Sequence, residues 1–143
     1  PLKFRQEVIH QSKYLKIIND SKSTTLSSTV PFLESNEKIL WILGGLFKKG
    51  DKFNLNKKYF KNLEAYIYGK DRQVFQKLFK NKIKVNLSKD LRNTLKLIPN
   101  LKDIRTKVTV LFSPSAASFD QYKNFEERGR QFNMLIKRYL PIE

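Results

Sequence analysis

The run KILWILGG, at residues 38–45, places the strongest constraint on the fold of this chain. After its first residue the run is continuously apolar, and it ends in two glycines. Such a run is typical of a strand that is buried on both faces. Strands of this kind occur in parallel sheets whose two faces are covered by helices. The run therefore predicts an α/β structure.

The rest of the chain alternates between strand-like and helix-like segments, as a parallel sheet with connecting helices requires. Strands are predicted for KFRQEV and YLKIIND, which we expect to pair, and for EAYIYG, IKVNLS and KVTVLFSP. Helices are predicted for TTLSSTVPFLES (disturbed by Pro31), NKKYFKNL, DRQVFQKLF and DLRNTLKLI. We therefore predict a single three-layer, Rossmann-like α/β domain over residues 1–143, with a mostly parallel sheet and helices on both faces.

Two predicted helices carry further detail. In DRQVFQKLF, Asp71 is the predicted N-cap, and Val74, Leu78 and Phe79 have helical spacing. The last helix is predicted over residues 120–139, with one apolar face and with Gly129 inside it. A glycine costs a helix about 1 kcal/mol relative to alanine. We therefore expect Gly129 to be required by close packing.

The chain is strongly basic, with 29 Lys and Arg residues against 13 Asp and Glu residues. Such a balance is found in proteins that bind nucleic acids, anionic membrane surfaces or anionic small substrates. The basic residues are mostly lysines spread along the chain, with the densest cluster at residues 48–58, and no nucleic-acid-binding motif is present. We interpret most of these lysines as solvated surface residues. A free-standing basic module that binds nucleic acid or an acidic partner is the main alternative.

Several absences bear on the cellular context. The chain has no apolar run long enough to span a bilayer, no signal-peptide pattern and no cysteine, and therefore no disulfide or thiolate metal site. These features favour a cytoplasmic protein without a membrane partner and without a metal site of its own.

Three polar segments follow predicted strands: NDSKSTT, GGLFKKG and SPSAAS. Because ligands bind at the carboxyl ends of parallel strands, we expect these segments to meet and form a site. Lys22 and Lys48 offer cationic groups, and Thr24 or Ser23 can cap the following helix, whose free N–H groups favour an anion. Taken singly, each segment is also typical of ordinary caps and turns.

The last loop adds a hydroxyl group beside aromatic rings. Ser118 can hydrogen-bond a carboxylate, while Phe119 and Phe125 can enclose it. Asp20, in the first segment, can accept hydrogen bonds from a sugar hydroxyl or help to hold a cation.

Five motifs, in this order, resemble the C-terminal domain of the Mur ligases: FRQE, NDSKST, LGGLFKKG, YGK and SPSAASFDQYKNFEERG. The resemblance covers the whole chain, and the last motif is similar to that of the family member that adds D-glutamate. The Asp-Asn-Pro-Arg motif of the members that add a diamino acid is absent. The stretch KNFEERG also argues against the relative that adds glutamate to folate.

The resemblance implies a bacterial, cytoplasmic enzyme of peptidoglycan precursor synthesis. It implies that ATP converts the carboxylate of UDP-N-acetylmuramoyl-L-alanine into an acyl phosphate, which the amine of D-glutamate then attacks. Two residues would face the nucleotide: Arg5 and Asp20. Six would hold D-glutamate: Lys22, Thr24, Lys48, Ser118, Phe119 and Phe125.

The chain contains no G-x-x-x-x-G-K-[ST] phosphate-binding loop. The family keeps this loop, its magnesium ligands and its UDP-binding region in two preceding domains. The resemblance therefore implies that ATP and Mg²⁺ are bound mainly by domains outside this chain, that the central ATPase domain is its partner, and that residues 1–143 alone are inactive.

Overall fold

In the computed structural model, which describes residues 2–140, the sheet has six strands in the order β1-β2-β6-β3-β4-β5. The strands are β1 (Glu7–Gln11), β2 (Leu15–Asn19), β3 (Lys38–Gly44), β4 (Leu63–Tyr68), β5 (Lys84–Leu87) and β6 (Val108–Phe112). Only the β1–β2 pair is antiparallel among the pairs of this sheet. The prediction of a mostly parallel sheet, with its first two strands paired, is confirmed.

The described chain has four α-helices: α1 (Leu26–Thr29), α2 (Arg72–Phe79) and α3 (Leu91–Leu97), which lie between strands, and α4 (Phe125–Tyr139), which follows β6. The segment Val30–Leu33, which contains Pro31, continues α1 as a 3-10 helix, and a second 3-10 helix spans Lys57–Asn62. Pro31 lacks the N–H that a longer α-helix would need, so the predicted disturbance at this residue is confirmed.

The helices cover both faces of the sheet, as predicted. On one face α3 and α4 pack on the sheet, and the rings of Phe112 and Phe132 stack with centroids 4.2 Å apart. On the other face Trp41 lies against Phe53 and Phe79, below α1 and α2. Strand β3 supplies side chains to both cores, which explains its continuous apolar sequence.

Two predicted boundaries are wrong. Strand β1 begins at Glu7 rather than Lys3, because residues 3–6 form turns in which Phe4 and Gln6 have φ angles of 64° and 46°. Helix α4 begins at Phe125 rather than near residue 120, because the Asn124 side chain accepts a hydrogen bond from the Glu127 N–H and caps the helix there.

Helix α2 lies where it was predicted, with Asp71 at its N-cap position, but two of the side chains singled out there have other surroundings than their sequence pattern suggests. Val74 is exposed, and the buried neighbours on this helix are Phe75 and Phe79. The Asp71 side chain does not cap α2. Instead, its Oδ2 accepts a hydrogen bond of 2.8 Å from the N–H of Phe47, which lies beyond β3.

The position of Gly129 confirms the expected packing requirement. A Cβ atom on Gly129 would lie 2.6–2.9 Å from three atoms of the Phe4 ring, and Phe4 is almost completely buried. Helix α4 therefore meets the turn before β1 at a point where a larger residue would have to displace the Phe4 ring.

We expect Gly129→Ala to lower the free energy of unfolding by about 1–2 kcal/mol. Overpacking costs about 1–3 kcal/mol, and the better helix propensity of alanine returns up to about 1 kcal/mol of it. Urea denaturation monitored by circular dichroism would measure the change. The exposed neighbour Arg130 provides the control, because Arg130→Ala should change stability by less than about 0.5 kcal/mol. A stabilised Gly129→Ala variant would contradict the packing argument.

Candidate functional site

The three polar segments meet at the carboxyl edge of the sheet, because β2, β6 and β3 are neighbours. The Asp20 N–H donates to the Phe112 carbonyl over 2.7 Å, and the Gly44 N–H donates to the Pro114 carbonyl over 3.0 Å. Farther out, Leu46 and Ala117 form an antiparallel bridge. The predicted convergence of the segments is therefore confirmed.

The FRQE turn packs against the first of these segments. The Gln6 N–H donates to Asp20 Oδ1 over 3.0 Å, and the Lys22 N–H donates to the Phe4 carbonyl over 2.9 Å. The left-handed φ angles of Phe4 and Gln6 shape this turn. The turn thereby places the exposed Arg5 next to the NDSKST segment.

Asp20 lies at the base of the site and is buried. Its Oδ2 accepts a 2.6 Å hydrogen bond from the Ser113 hydroxyl, and its Oδ1 accepts the Gln6 N–H. Burial raises the pKa of Asp20, although the hydrogen bonds from Ser113 and Gln6 and the charge of Arg5 act in the opposite direction. These contacts make Asp20 a link between loops, and its role toward a nucleotide stays a prediction.

A groove of about 310 Å³, which we call the Lys22 groove, opens beside Asp20. Arg5, Lys22 and Thr24 are exposed residues in its lining. The Lys22 ammonium lies 4.5 Å from the centroid of the Phe125 ring, which is a cation–π distance. The structure thus brings five of the predicted site residues to one groove or its rim: Arg5, Asp20, Lys22, Thr24 and Phe125.

Lys48 and Ser118 lie on two adjoining loops. Ser118 follows Ala117, the bridge partner of Leu46, and Lys48 is an exposed residue beyond Leu46. The turn that starts at Lys48 reaches the start of α1, where the Asp51 carboxylate accepts a hydrogen bond from the Leu26 N–H. Lys48 is therefore held near the Thr24 side of the site, although it does not line the groove.

The capping prediction for the first segment needs correction. Thr25 caps α1, by accepting a 3.2 Å hydrogen bond from the Ser28 N–H, whereas Thr24 and Ser23 do not. Ser23 instead bonds the hydroxyls of Ser28 and Thr29. The Leu26 N–H, which was expected to favour an external anion, already donates to the Asp51 carboxylate. An anion in this groove would therefore be met by the cationic side chains of Arg5 and Lys22 rather than by the Leu26 N–H.

Phe119 lies apart from the Lys22 groove. Its side chain is 71% exposed, and it lines a second groove of about 390 Å³ together with Lys70 and Asp120. Its predicted contact with an amino-acid substrate stays a prediction.

The chain is similar in sequence to the C-terminal part of several ligases. No protein-family model matches the chain. The UDP-N-acetylmuramoylalanine–D-glutamate ligase of Wolbachia pipientis wMel is 35% identical over 132 residues, which are 92% of this chain and 26% of that protein. The enzyme of the same name from Buchnera aphidicola subsp. Schizaphis graminum is 40% identical over 141 residues, covering 95% of this chain and 31% of that protein.

The fold comparison agrees. The crystal structure of the UDP-N-acetylmuramate–alanine ligase of Thermotoga maritima matches 96% of this chain and 30% of that one, with a TM-score of 0.60. At 14% identity this likeness shows the fold alone. The chain belongs to the Mur ligase family. It spans about a third or less of its curated relatives and is similar to their C-terminal part.

Two implications of Mur ligase membership can be examined on the described residues. Within residues 2–140, no three His, Cys, Asp or Glu side chains are grouped so that they could hold a metal ion. These residues therefore form no three-ligand protein cage for the Mg²⁺ of the family. The Lys22 groove does fit a phosphate group, because exposed Arg5, Lys22 and Thr24 supply cationic and hydroxyl donors.

None of the helices within the same residues is both long and apolar enough to cross a membrane.

Arg128 is a residue of this site that sequence reasoning missed. Its side chain is fully buried, and its guanidinium donates to the Ser21 hydroxyl and carbonyl, the Ala116 carbonyl and the Ser23 carbonyl over 2.7–3.3 Å. Burial lowers the pKa of Arg128, and nearby Tyr68, Asp120 and Tyr122 oppose that shift. The sequence did contain one indication of this residue. Arg128 is a charged residue between Phe125 and Phe132 on the apolar face of a predicted helix, where an apolar residue would be expected.

Proposed function

We propose that this chain is the amino-acid-binding lobe, residues 1–143, of a bacterial cytoplasmic ligase that joins D-glutamate to UDP-N-acetylmuramoyl-L-alanine at the expense of ATP. The observation that carries this proposal is the meeting of the NDSKST, GGLFKKG and SPSAAS segments at one edge of the sheet. The names of the relatives support the choice of D-glutamate.

The charges at this edge suit a dicarboxylic acid. Lys22 and Lys48 are exposed cations on the loops that follow β2 and β3, and Lys22 is held over the Phe125 ring. Each lysine can pair with one carboxylate, and hydroxyl groups would come from the exposed Thr24 and from Ser118, which is only 3% exposed. A zwitterionic diamino acid would instead bring a second ammonium group toward these lysines and be repelled.

The chemistry would be completed by domains beyond residues 1–143. In the complete enzyme, activation would transfer the terminal phosphoryl group of ATP to the muramoyl-alanine carboxylate, and the amine of D-glutamate would then displace phosphate from the acyl carbon. The groove residues would orient the D-glutamate so that its amine faces that carbon. Arg5, at the rim, would contribute one cationic contact to the phosphates of the nucleotide, with Asp20 behind it.

The direct test is an ADP-release assay of the complete protein encoded by the reading frame. With ATP, Mg²⁺ and UDP-N-acetylmuramoyl-L-alanine present, we expect ADP release that depends on D-glutamate. L-glutamate and meso-diaminopimelate, at equal concentration, should not support it. Release that depends on meso-diaminopimelate, or on no amino acid at all, would overturn the assignment.

We expect a protein consisting of residues 1–143 alone to release no ADP in the same assay. The chain lacks the phosphate-binding loop, and residues 2–140 hold no metal-binding cluster, so the phosphoryl transfer has no machinery here. Circular dichroism should first show that this protein is folded. D-glutamate-dependent ADP release from the folded, isolated chain would contradict this prediction.

A further inference from the structure

The buried guanidinium of Arg128 is unusual because its close partners are neutral. Arginine is rarely fully buried without a paired carboxylate. Within residues 2–140 the one ion pair closer than 4.0 Å joins Lys84 on β5 and Glu64 on β4, and neither residue is a partner of Arg128. Asp120 acts on Arg128 from a longer distance, and its Oδ2 accepts the Lys70 N–H.

The acceptors of Arg128 belong to the two loops that carry candidate substrate contacts. The carbonyls of Ser21 and Ser23, which flank Lys22, accept from Nη2 over 2.7 Å and 3.3 Å. The Ala116 carbonyl, which lies two residues before Ser118, accepts from Nη1 over 2.8 Å. One planar group therefore fixes the spacing between the Lys22 loop and the Ser118 loop.

The same group also ties in the start of α4. The Ser21 hydroxyl accepts from Arg128 Nε over 3.1 Å and donates to the Phe125 carbonyl over 2.7 Å. Phe125 is the residue whose ring lies under the Lys22 ammonium. A well-packed apolar side chain would be expected to stabilise a fold at least as well as a buried charge does. A fork of donors, in contrast, can hold two loops in one register.

We propose that Arg128 is a positioning residue for the dicarboxylic acid, whose guanidinium holds Lys22 and Ser118 at the separation that the acid requires. This inference rests on the proposed function. Arg128 does not touch the acid in this arrangement, and its effect passes through the two loops.

The test compares Arg128→Lys, Ser21→Ala and the control Arg130→Lys in the complete protein, below the melting temperature of each. Lysine keeps the charge but lacks the planar fork, so Arg128→Lys should raise the KM for D-glutamate about tenfold. Ser21→Ala, a smaller change that guards against misfolding, should raise it about two- to tenfold, as the loss of one hydrogen bond allows. In both variants the KM for ATP should stay within about twofold of wild type, and exposed Arg130→Lys should change neither constant.

A double variant provides the sharper measurement. If Arg128 acts through Lys22, then Lys22→Ala combined with Arg128→Lys should raise the KM by much less than the product of the two single effects. A lower melting temperature with an unchanged KM for D-glutamate would overturn the proposal. So would an equal rise in the KM values for both substrates.

Amide hydrogen exchange separates this inference from the proposed function, since it needs no activity. In Arg128→Lys, the amides of residues 21–23 and 116–118 should exchange at least about tenfold faster than in Arg130→Lys, while those of β3 and β6 keep their rates. Unchanged loop exchange would overturn the positioning role. Inactive wild-type protein with the expected exchange would instead contradict only the ligase assignment.

Discussion

Replacing Lys48 with alanine in the complete protein is expected to raise the KM for D-glutamate about ten- to a hundredfold. Removal of a charge-assisted hydrogen bond costs about 1.5–3 kcal/mol, which is that range in affinity. Lys48 is exposed and follows the glycine turn at the end of β3. Steady-state kinetics with D-glutamate as the varied substrate would measure the effect, and the KM for ATP should change much less.

Lys49 is the matched control for this prediction. It is also exposed and has the same side chain, but it is the next residue along the turn, so we take it for a solvated surface lysine. Lys49→Ala should therefore leave both KM values close to wild type. Small and equal effects of the two substitutions would remove Lys48 from the site.

The sequence was sufficient to predict the layers of the fold and the edge at which the site lies. The apolar run in β3 requires cover on both faces, and the polar segments after β2, β3 and β6 follow from the positions of the strands. Gly129 was also informative, because a glycine inside an amphipathic helix indicates a close approach.

The sequence was insufficient where a side chain bonds a distant part of the chain. Asp71 looks like a helix cap, yet its carboxylate accepts from Phe47, which is 24 positions away. Arg128 bonds Ser21 over a separation of 107 positions. Local spacing carries no information about such partners, so neither the link beside Lys48 nor the link between the Lys22 and Ser118 loops could be predicted.

The turn that carries Lys48 depends on Gly44, and Gly44→Ala is expected to lower the free energy of unfolding by about 3–5 kcal/mol. The φ angle of Gly44 is 150°, and an added Cβ would overlap the backbone carbonyl of Tyr68, its register partner on β4. A strained φ angle costs about 1–3 kcal/mol and overpacking about 1–3 kcal/mol more. Neither can relax unless the end of the β3–β4 pair separates.

Gly50→Ala isolates the steric part of this effect, because Gly50 also has a positive φ angle, 86°, but nothing lies within 4 Å of its Cβ position. Gly50→Ala should therefore cost only the backbone strain, about 1–2 kcal/mol. A loss of 1 kcal/mol lowers the melting temperature of a domain of this size by roughly 3 °C. Thermal denaturation should therefore give Gly44→Ala a melting temperature about 10 °C or more below that of wild type. The melting temperature of Gly50→Ala should be about 3–6 °C below that of wild type. Equal losses would show that the contact with Tyr68 relaxes freely. The glycine at β3's end would then be required for its φ angle alone, and the overlap would play no part in holding the turn that presents Lys48.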